Sequence, residues 1–311
     1  MKKCIWRMIV GDDVKLVTIF TPTYNRNYML KRLYDSLLKQ NDKNFEWVVV
    51  DDGSIDGTHE YIKKIKQQNK IKITYVYQPN SGKHVAINRG VDLANGEFFA
   101  IVDSDDYLTE DAVAKIREWF TDIEKSKKKF AGVAGQKGYS NSKPVGTTFN
   151  FKTIDAKSNE REKFNITGDK FEVFYTDVIK KNKFPVYPNE KFMTEMVVWN
   201  RIARQGYYIR WHQDIIYLCD YLDDGLTKNI VNNIKNSPKG FALNIREQVK
   251  FDKISFKKKL SYYSLYYDAR KEEANLLQIS RELNDNCVIV YLSVIIRKIY
   301  KFLVKNEKKQ N

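Results

Sequence analysis

The chain has 311 residues, 42% of them hydrophobic, and 54 lysines and arginines against 39 acidic residues, a net charge of +15. This is enough for a substantial core plus a smaller accessory element, and the basic excess calls for an anionic partner. The three cysteines, Cys4, Cys219 and Cys287, are odd in number and far apart, which excludes a zinc spacing and points to a reducing, cytoplasmic setting. Near the N-terminus, Lys2-Lys3 and a short apolar patch broken by Arg7 are too short and interrupted for a signal peptide.

Leu16–Phe20 is a short apolar, β-branched run stopped by Thr21-Pro22-Thr23-Tyr24-Asn25, and a helix with Leu30, Leu33, Leu37 and Leu38 on one face follows. Phe45–Val50 predicts the next strand, ending in Asp51-Asp52-Gly53-Ser54 and then Asp56-Gly57-Thr58. A helical stretch at about 60–68, a strand over Ile73–Tyr77 and a helix at about 85–94 precede the apolar run Phe98–Val102, which ends in Asp103-Ser104-Asp105-Asp106. Strands separated by helices imply βαβ units and a mostly parallel sheet, with ligands in the crevice beyond the strand carboxyl ends. Thr21–Asn25, Asp51–Ser54 and Asp103–Asp106 all fall at such ends and are expected to converge.

The first strand-to-helix turn has no glycine and no P-loop is present, so backbone N–H groups do not cradle a pyrophosphate as they do in dinucleotide-binding folds. Three carboxylates at a strand end repel one another unless a cation sits between them. A divalent metal on a phosphate-bearing ligand would supply it, because hard oxygen donors suit Mg²⁺ or Mn²⁺. The alternative is a solvated acidic loop capping the helix that starts at Thr109-Glu110-Asp111.

Four separated motifs then agree. Pro22-Thr23-Tyr24-Asn25, Asp51-Asp52-Gly53-Ser54 with Asp56-Gly57-Thr58, Ser81-Gly82-Lys83 with Ala86 and Asn88, and Asp103-Ser104-Asp105-Asp106 resemble, in order and spacing, the inverting family 2 glycosyltransferases of the GT-A fold. The resemblance covers roughly residues 16–225. It implies that Pro22, Thr23, Tyr24 and Asp52 line a nucleobase and ribose pocket. It also implies that Asp103 and Ser104 face the nucleoside, that Asp105 binds the metal on the diphosphate, and that Asp106 is a secondary or alternative ligand. Turn and capping chemistry is the other reading of Pro22, Asn25, Asp52 and Asp56. Lys83 and His84 stand at a loop-to-helix junction, where a cation opposes the helix dipole unless an anion lies nearby, so Lys83 is a candidate phosphate or nucleobase contact.

Inverting transfer also needs a base for the acceptor hydroxyl. The resembling enzymes carry an acidic pair a fixed distance before an arginine. Here that arginine is Arg201, which places Glu195 at the position of the catalytic acid, while Thr194 replaces the acid before it. Glu190 and Asp169 are the next candidates, Asp169 also as a sugar contact. Asp223 and Asp224, before Gly225, resemble the family's closing segment. The stretch Ser140–Phe164 is weakly patterned and reads as a loop for acceptor recognition or disorder.

Beyond about residue 228 the alternation stops and helices are expected at roughly 240–254, 256–283 and 286–306. The last combines Cys287–Ile296 with Arg297, Lys298, Lys301 and Lys305, too short an apolar run to span a bilayer. It reads either as an interfacial helix on an anionic membrane or as a packing or oligomer-forming element. Nucleic-acid binding is a competing class, with Tyr262, Tyr263, Tyr266 and Tyr267 as stacking residues, but no nucleic-acid motif is present and the acidic strand end would repel a backbone.

The expectation is an α/β GT-A-like catalytic domain at 1–228 and a basic helical region at 229–311. The expected activity is a metal-dependent (Mn²⁺ or Mg²⁺) inverting transfer from a nucleoside diphosphate sugar, a UDP-sugar, to a glycan, lipid-linked or teichoic-acid-like polyol phosphate acceptor. The expected location is cytoplasmic, at the inner face of the membrane. A non-catalytic sugar-nucleotide-binding regulator is the alternative. It would keep Asp52, Asp103 and Asp105 without requiring Glu195.

Overall fold

The computed structural model describes residues 15–220, 230–252 and 254–310, so Asp223 and Asp224 lie outside the described residues. The chain divides into two units, the first running to Phe184 and including Val198–Asp220, the second comprising Pro185–Val197 and the chain from Tyr221 onward.

The first unit opens with β1 (Val17–Thr23), α1 (Asn27–Leu38), β2 (Phe45–Asp51), α2 (Thr58–Gln67), β3 (Ile73–Tyr77), α3 (Lys83–Leu93) and β4 (Phe98–Ile101). β1, β2, β3 and β4 pair in parallel, in the order β3-β2-β1-β4. Both β1 and β2 are buried along their whole length, as near-continuous apolar runs are when helices cover both faces of a sheet. The chain winds outward from β1 to β3 and then returns to place β4 on the other side of β1. The order therefore reverses between β1 and β4, where the crevice of such a sheet opens. Thr23 and Asp103 flank that point, just past the last β1–β4 pair, Phe20 with Ile101.

Close packing fixes α3 on this sheet. A Cβ at Gly90 would stand 2.1 Å from the Phe20 ring, which itself stacks on Phe99 at 5.3 Å. At the amino ends of the strands, fully buried Glu46 accepts hydrogen bonds from Thr18 Oγ1 (2.9 Å), the Asn95 N–H (2.7 Å) and Lys72 (2.7 Å). Burial would raise its carboxyl, but these donors hold it below the usual range.

The sheet continues through β5 (Tyr107–Leu108), β6 (Phe130–Ser140), β9 (Lys170–Tyr175) and β10 (Tyr208–Leu218), with α4 (Ala112–Glu124), α5 (Thr176–Lys180) and α6 (Met196–Arg204) between them. Its order is β4-β9-β6-β10-β5, and β9 is antiparallel to both β4 and β6. The stretch expected to be a plain loop holds β7 (Lys143–Pro144), β8 (Thr153–Ala156) and a 3₁₀ turn over Ser158–Phe164. β8 is four residues long and pairs antiparallel with β10, more than fifty residues away, so its local sequence carries little periodic signal.

In the second unit, α7 (Ile230–Asn236), α8 (Pro238–Phe251), α9 (Phe256–Arg270), α10 (Leu276–Leu283) and α11 (Cys287–Gln310) surround a core that includes Ile234, Phe241, Ile245, Tyr266 and Ile279. The single helix expected over 256–283 is two helices. Asn275 and Gln278 form a capping box that starts α10 afresh, Asn275 N–H to Gln278 Oε1 at 2.9 Å and Gln278 N–H to Asn275 Oδ1 at 3.0 Å. Tyr263 and Tyr266 are core residues, their hydroxyls donated to Asp285 and Glu282, which removes two of the four tyrosines from any base-stacking surface.

Candidate active site

Pro22 and Thr23 end β1, and Tyr24 follows with its ring half exposed. Thr23 is buried, and its Oγ1 has no hydrogen-bond partner among the described residues. Asn25 takes a left-handed φ of 50° and ties two loops together, its N–H donating to Ser54 Oγ and its Oδ1 accepting from the Ile55 N–H, each at 2.9 Å. Asp56 accepts from the Asn27 N–H (2.8 Å) and the Thr58 hydroxyl (2.6 Å). Turn and capping chemistry therefore accounts for Asn25 and Asp56.

Asp52 is 4% exposed and holds the third motif in place. Its Oδ1 accepts from Gln78 Nε2 (2.7 Å) and the Ser81 N–H (2.8 Å), and its Oδ2 accepts from the Gly82 N–H (2.7 Å). Gly82, at φ 98°, then lets the chain turn into α3. Burial lowers the pKa of His84, with Asp52 opposing the shift. Lys83, the first residue of α3, meets Asp103 Oδ1 at 2.7 Å. The anion that Lys83 needs at a helix N-terminus is thus partly supplied by the protein itself.

Around Asp103 the structure brings together groups far apart in the chain, Tyr217 lying 114 residues beyond it. The Tyr217 hydroxyl accepts from the Asp103 N–H at 3.1 Å and donates to Asp106 Oδ2, so one buried tyrosine on β10 pins both ends of the acidic turn. Lys137, on β6, sets its Nζ 4.2 Å from the centroid of the same tyrosine ring. From the far side, Arg32 of α1 donates to the Asp105 carbonyl, lies 4.6 Å from the Tyr107 ring and pairs with Asp220. Lys137, Tyr217 and Arg32 were not singled out in the sequence. The one signal that could have found Lys137 is its place at the end of the apolar run Phe130–Gly135, the same position relative to a strand that marks the aspartates.

The electrostatics sort the three carboxyls. Burial works against ionisation of Asp103, yet Lys83 and Lys137 hold it below the usual range. Burial and the charge of Asp103 push Asp105 above it. Burial and Asp103 push Asp106 up to about 7, with Lys137 and the Tyr217 hydroxyl opposing. Lys137 stays protonated because Asp103 and Asp106 outweigh its burial.

Among the described residues no three His, Cys, Asp or Glu side chains converge as a protein-only metal cage. The set nevertheless fits a cation that brings its own oxygen ligands. Lys83 is engaged with Asp103 and Tyr217 with Asp106, while burial and Asp103 raise the Asp105 carboxyl despite the charges of Arg26 and Lys83, and a hard divalent ion would relieve that. Asp106, 7% exposed with one oxygen occupied by Tyr217, is the less available ligand.

Of the other acids, Asp169 is exposed just before β9 and contributes to the field at Lys137. Glu190 and Glu195 belong to the second unit. Glu190 is buried and caps α8, accepting from the N–H groups of Lys239 and Gly240 at 2.9 Å each, which makes it a structural acid. Glu195 is half-buried at the turn that opens α6.

Comparison with known proteins bears on the family and the fold. The chain is 37% identical over 120 residues to glycosyltransferase GlyA of Streptococcus pneumoniae serotype 4, covering 37% of this chain and 17% of that protein. It is 27% identical over 204 residues to the GalNAc(5)-diNAcBac-PP-undecaprenol beta-1,3-glucosyltransferase of Campylobacter jejuni, covering 62% of each. The chain thus spans less than two thirds of the length of either relative. Among solved structures, S. aureus TarS 1-349 in complex with UDP matches with a TM-score of 0.58 at 18% identity, over 95% of this chain and 92% of that one. The mannosyltransferase PcManGT of Pyrobaculum calidifontis, in complex with GDP-Man and Mn²⁺, matches with a TM-score of 0.55 at 17% identity, over 99% and 85%. These two establish the likeness of fold. The profile of glycosyl transferase family 2 matches residues 18–174, half of the chain and the part that carries the carboxyl cluster, and the chain belongs to that family.

Proposed function

We propose that the chain moves a sugar from a nucleoside diphosphate sugar, a UDP-sugar, to a hydroxyl of a glycan, lipid-linked or polyol phosphate acceptor in cell-surface polysaccharide synthesis, with inversion at the anomeric carbon. The observation that carries this reading is the carboxyl cluster at the strand-order reversal, where Asp103 pairs with Lys83, Asp106 accepts from the Tyr217 hydroxyl, and burial together with Asp103 raises the Asp105 carboxyl. The relatives' names support the acceptor class, since one acts on an undecaprenol-linked glycan, and the ligands in the two solved structures support the donor class.

In this reading Pro22, Thr23, Tyr24 and Asp52 line the base and ribose, and the unpartnered Thr23 Oγ1 is one group left for a ligand to satisfy. Asp103 and Ser104 border the nucleoside. Asp105 would hold a divalent cation, which would supply charge neutralisation for the diphosphate. Lys83 and Lys137 keep fixed positive charge beside Asp103. Glu195 takes the proton from the acceptor hydroxyl as that oxygen bonds to the anomeric carbon. The bond from that carbon to the phosphate oxygen breaks, and its electron pair leaves with the nucleoside diphosphate.

Calorimetry with UDP tests the reading. Mn²⁺ should tighten binding to the wild type, and Asp105→Ala should bind UDP equally with Mn²⁺ and with EDTA while its far-UV spectrum stays unchanged. A wild type that binds UDP equally in both buffers refutes the assignment of Asp105.

A further inference from the structure

α11 is apolar on two opposite faces. Its inner face, Val290, Ser293 and Val294, is buried, and Arg297 on the same side reaches α9 at Ser264 Oγ (3.2 Å) and Asp268 (3.4 Å). Its outer face carries Val288, Tyr291, Leu292, Ile296 and Ile299, each 43 to 57% exposed. The spacings of three and four residues place them in one stripe along three turns of helix. A helix apolar on both sides is normally covered on both sides, and a stripe of this kind is a surface for something else.

The sequence of the helix decides what covers it. Cys287–Gln310 contains six basic residues, Arg297, Lys298, Lys301, Lys305, Lys308 and Lys309, and a single acidic one, Glu307. Residues 229–311 as a whole hold 17 basic and 8 acidic residues. A second copy packed on this stripe would bring two strongly positive helices side by side, whereas an anionic phospholipid surface offers hydrocarbon for the stripe and negative headgroups for the lysines. No helix among the described residues is long and apolar enough to cross a membrane, which leaves α11 lying on the bilayer rather than through it. We infer that the outer face of α11 docks the chain onto an anionic phospholipid bilayer, with Val288, Leu292, Ile296 and Ile299 entering the acyl boundary and Lys298 at the headgroups. This inference stands apart from the glycosyltransferase reading, because it uses no residue of the carboxyl cluster.

Co-sedimentation of the full chain with vesicles tests it, using phosphatidylglycerol mixed with phosphatidylcholine and phosphatidylcholine alone. Binding to the anionic vesicles should exceed binding to the neutral ones by about tenfold or more and should weaken as salt is raised. The double substitution Leu292→Asp with Ile296→Asp alters two exposed positions, so folding should survive, as shown by an unchanged thermal transition and unchanged UDP affinity. It should lose about tenfold or more in vesicle binding. Equal binding to both vesicle types, or undiminished binding by the folded double variant, overturns the inference. So does a wild-type dimer in analytical ultracentrifugation that the double variant converts to monomer, since the stripe then belongs to a second copy. Because UDP affinity is measured on the same samples, failure of donor binding and failure of membrane docking are read separately.

Discussion

Asp106→Asn should stabilise the protein at neutral pH, and the size of the effect follows from the cluster. Asp106 is 7% exposed, and burial together with Asp103 raises its carboxyl to about 7 in the folded state. In the unfolded chain the same group titrates near about 3.9. Between those two values the folded state binds the extra proton, so stability falls as pH rises, by about 1.4 kcal/mol per unit, reaching a ceiling of about 4 kcal/mol above pH 7. Asparagine has nearly the same shape, cannot ionise, and keeps an Oδ1 that accepts from the Tyr217 hydroxyl. The variant should therefore be more stable than the wild type near pH 7.5, and the gap should shrink by up to about 3 kcal/mol on going to about pH 5. Urea unfolding followed by tryptophan fluorescence, without divalent cations, is the assay. Trp47, Trp119, Trp199 and Trp211 all lie in the first unit, so the signal reports the part of the chain that holds Asp106. A gap of equal size at both pH values, or a variant less stable than the wild type near pH 7.5, would refute this account of the cluster.

Glu195→Gln keeps shape and hydrogen bonding but cannot take a proton, so sugar transfer should fall by about 10²–10⁴ with donor affinity nearly unchanged; near-normal transfer moves the base elsewhere, and donor binding without any transfer by the wild type marks a regulator rather than an enzyme. Glu190→Ala removes both acceptors from the start of α8 and should cost the second unit about 0.5–2 kcal/mol in a far-UV thermal scan while UDP affinity stays the same. In Gly90→Ala the gain in helix propensity, about 1 kcal/mol, opposes a Cβ placed 2.1 Å from the Phe20 ring. Overpacking at such a contact costs about 1–3 kcal/mol, so a net loss is expected in the same urea assay, and a stabilised variant would mean that α3 does not sit this closely on β1.

The elements whose signal is local were legible in the order of residues. Runs such as Phe45–Val50 and Phe98–Val102 could hardly be anything but buried strands, and the polar residues after them had to fall at strand carboxyl ends, because a βαβ crossover leaves no other place. The places of Asp52 and Asp103–Asp106 just past strand ends were legible for that reason, and the family was legible in the motifs. Which groups meet each carboxylate depends instead on contacts between distant parts of the chain. Tyr217 lies 111 residues beyond Asp106 and Lys137 lies 34 beyond Asp103, and β9 enters antiparallel between β4 and β6 to bring these strands side by side. No local period encodes that pairing. The same holds for Glu190, which reads in sequence as a candidate acid and folds as a cap, and for Tyr263 and Tyr266, which read as a stacking surface and fold as core. Their roles rest on groups far along the chain, and burial and hydrogen bonding are properties of the assembled neighbourhood rather than of the residue.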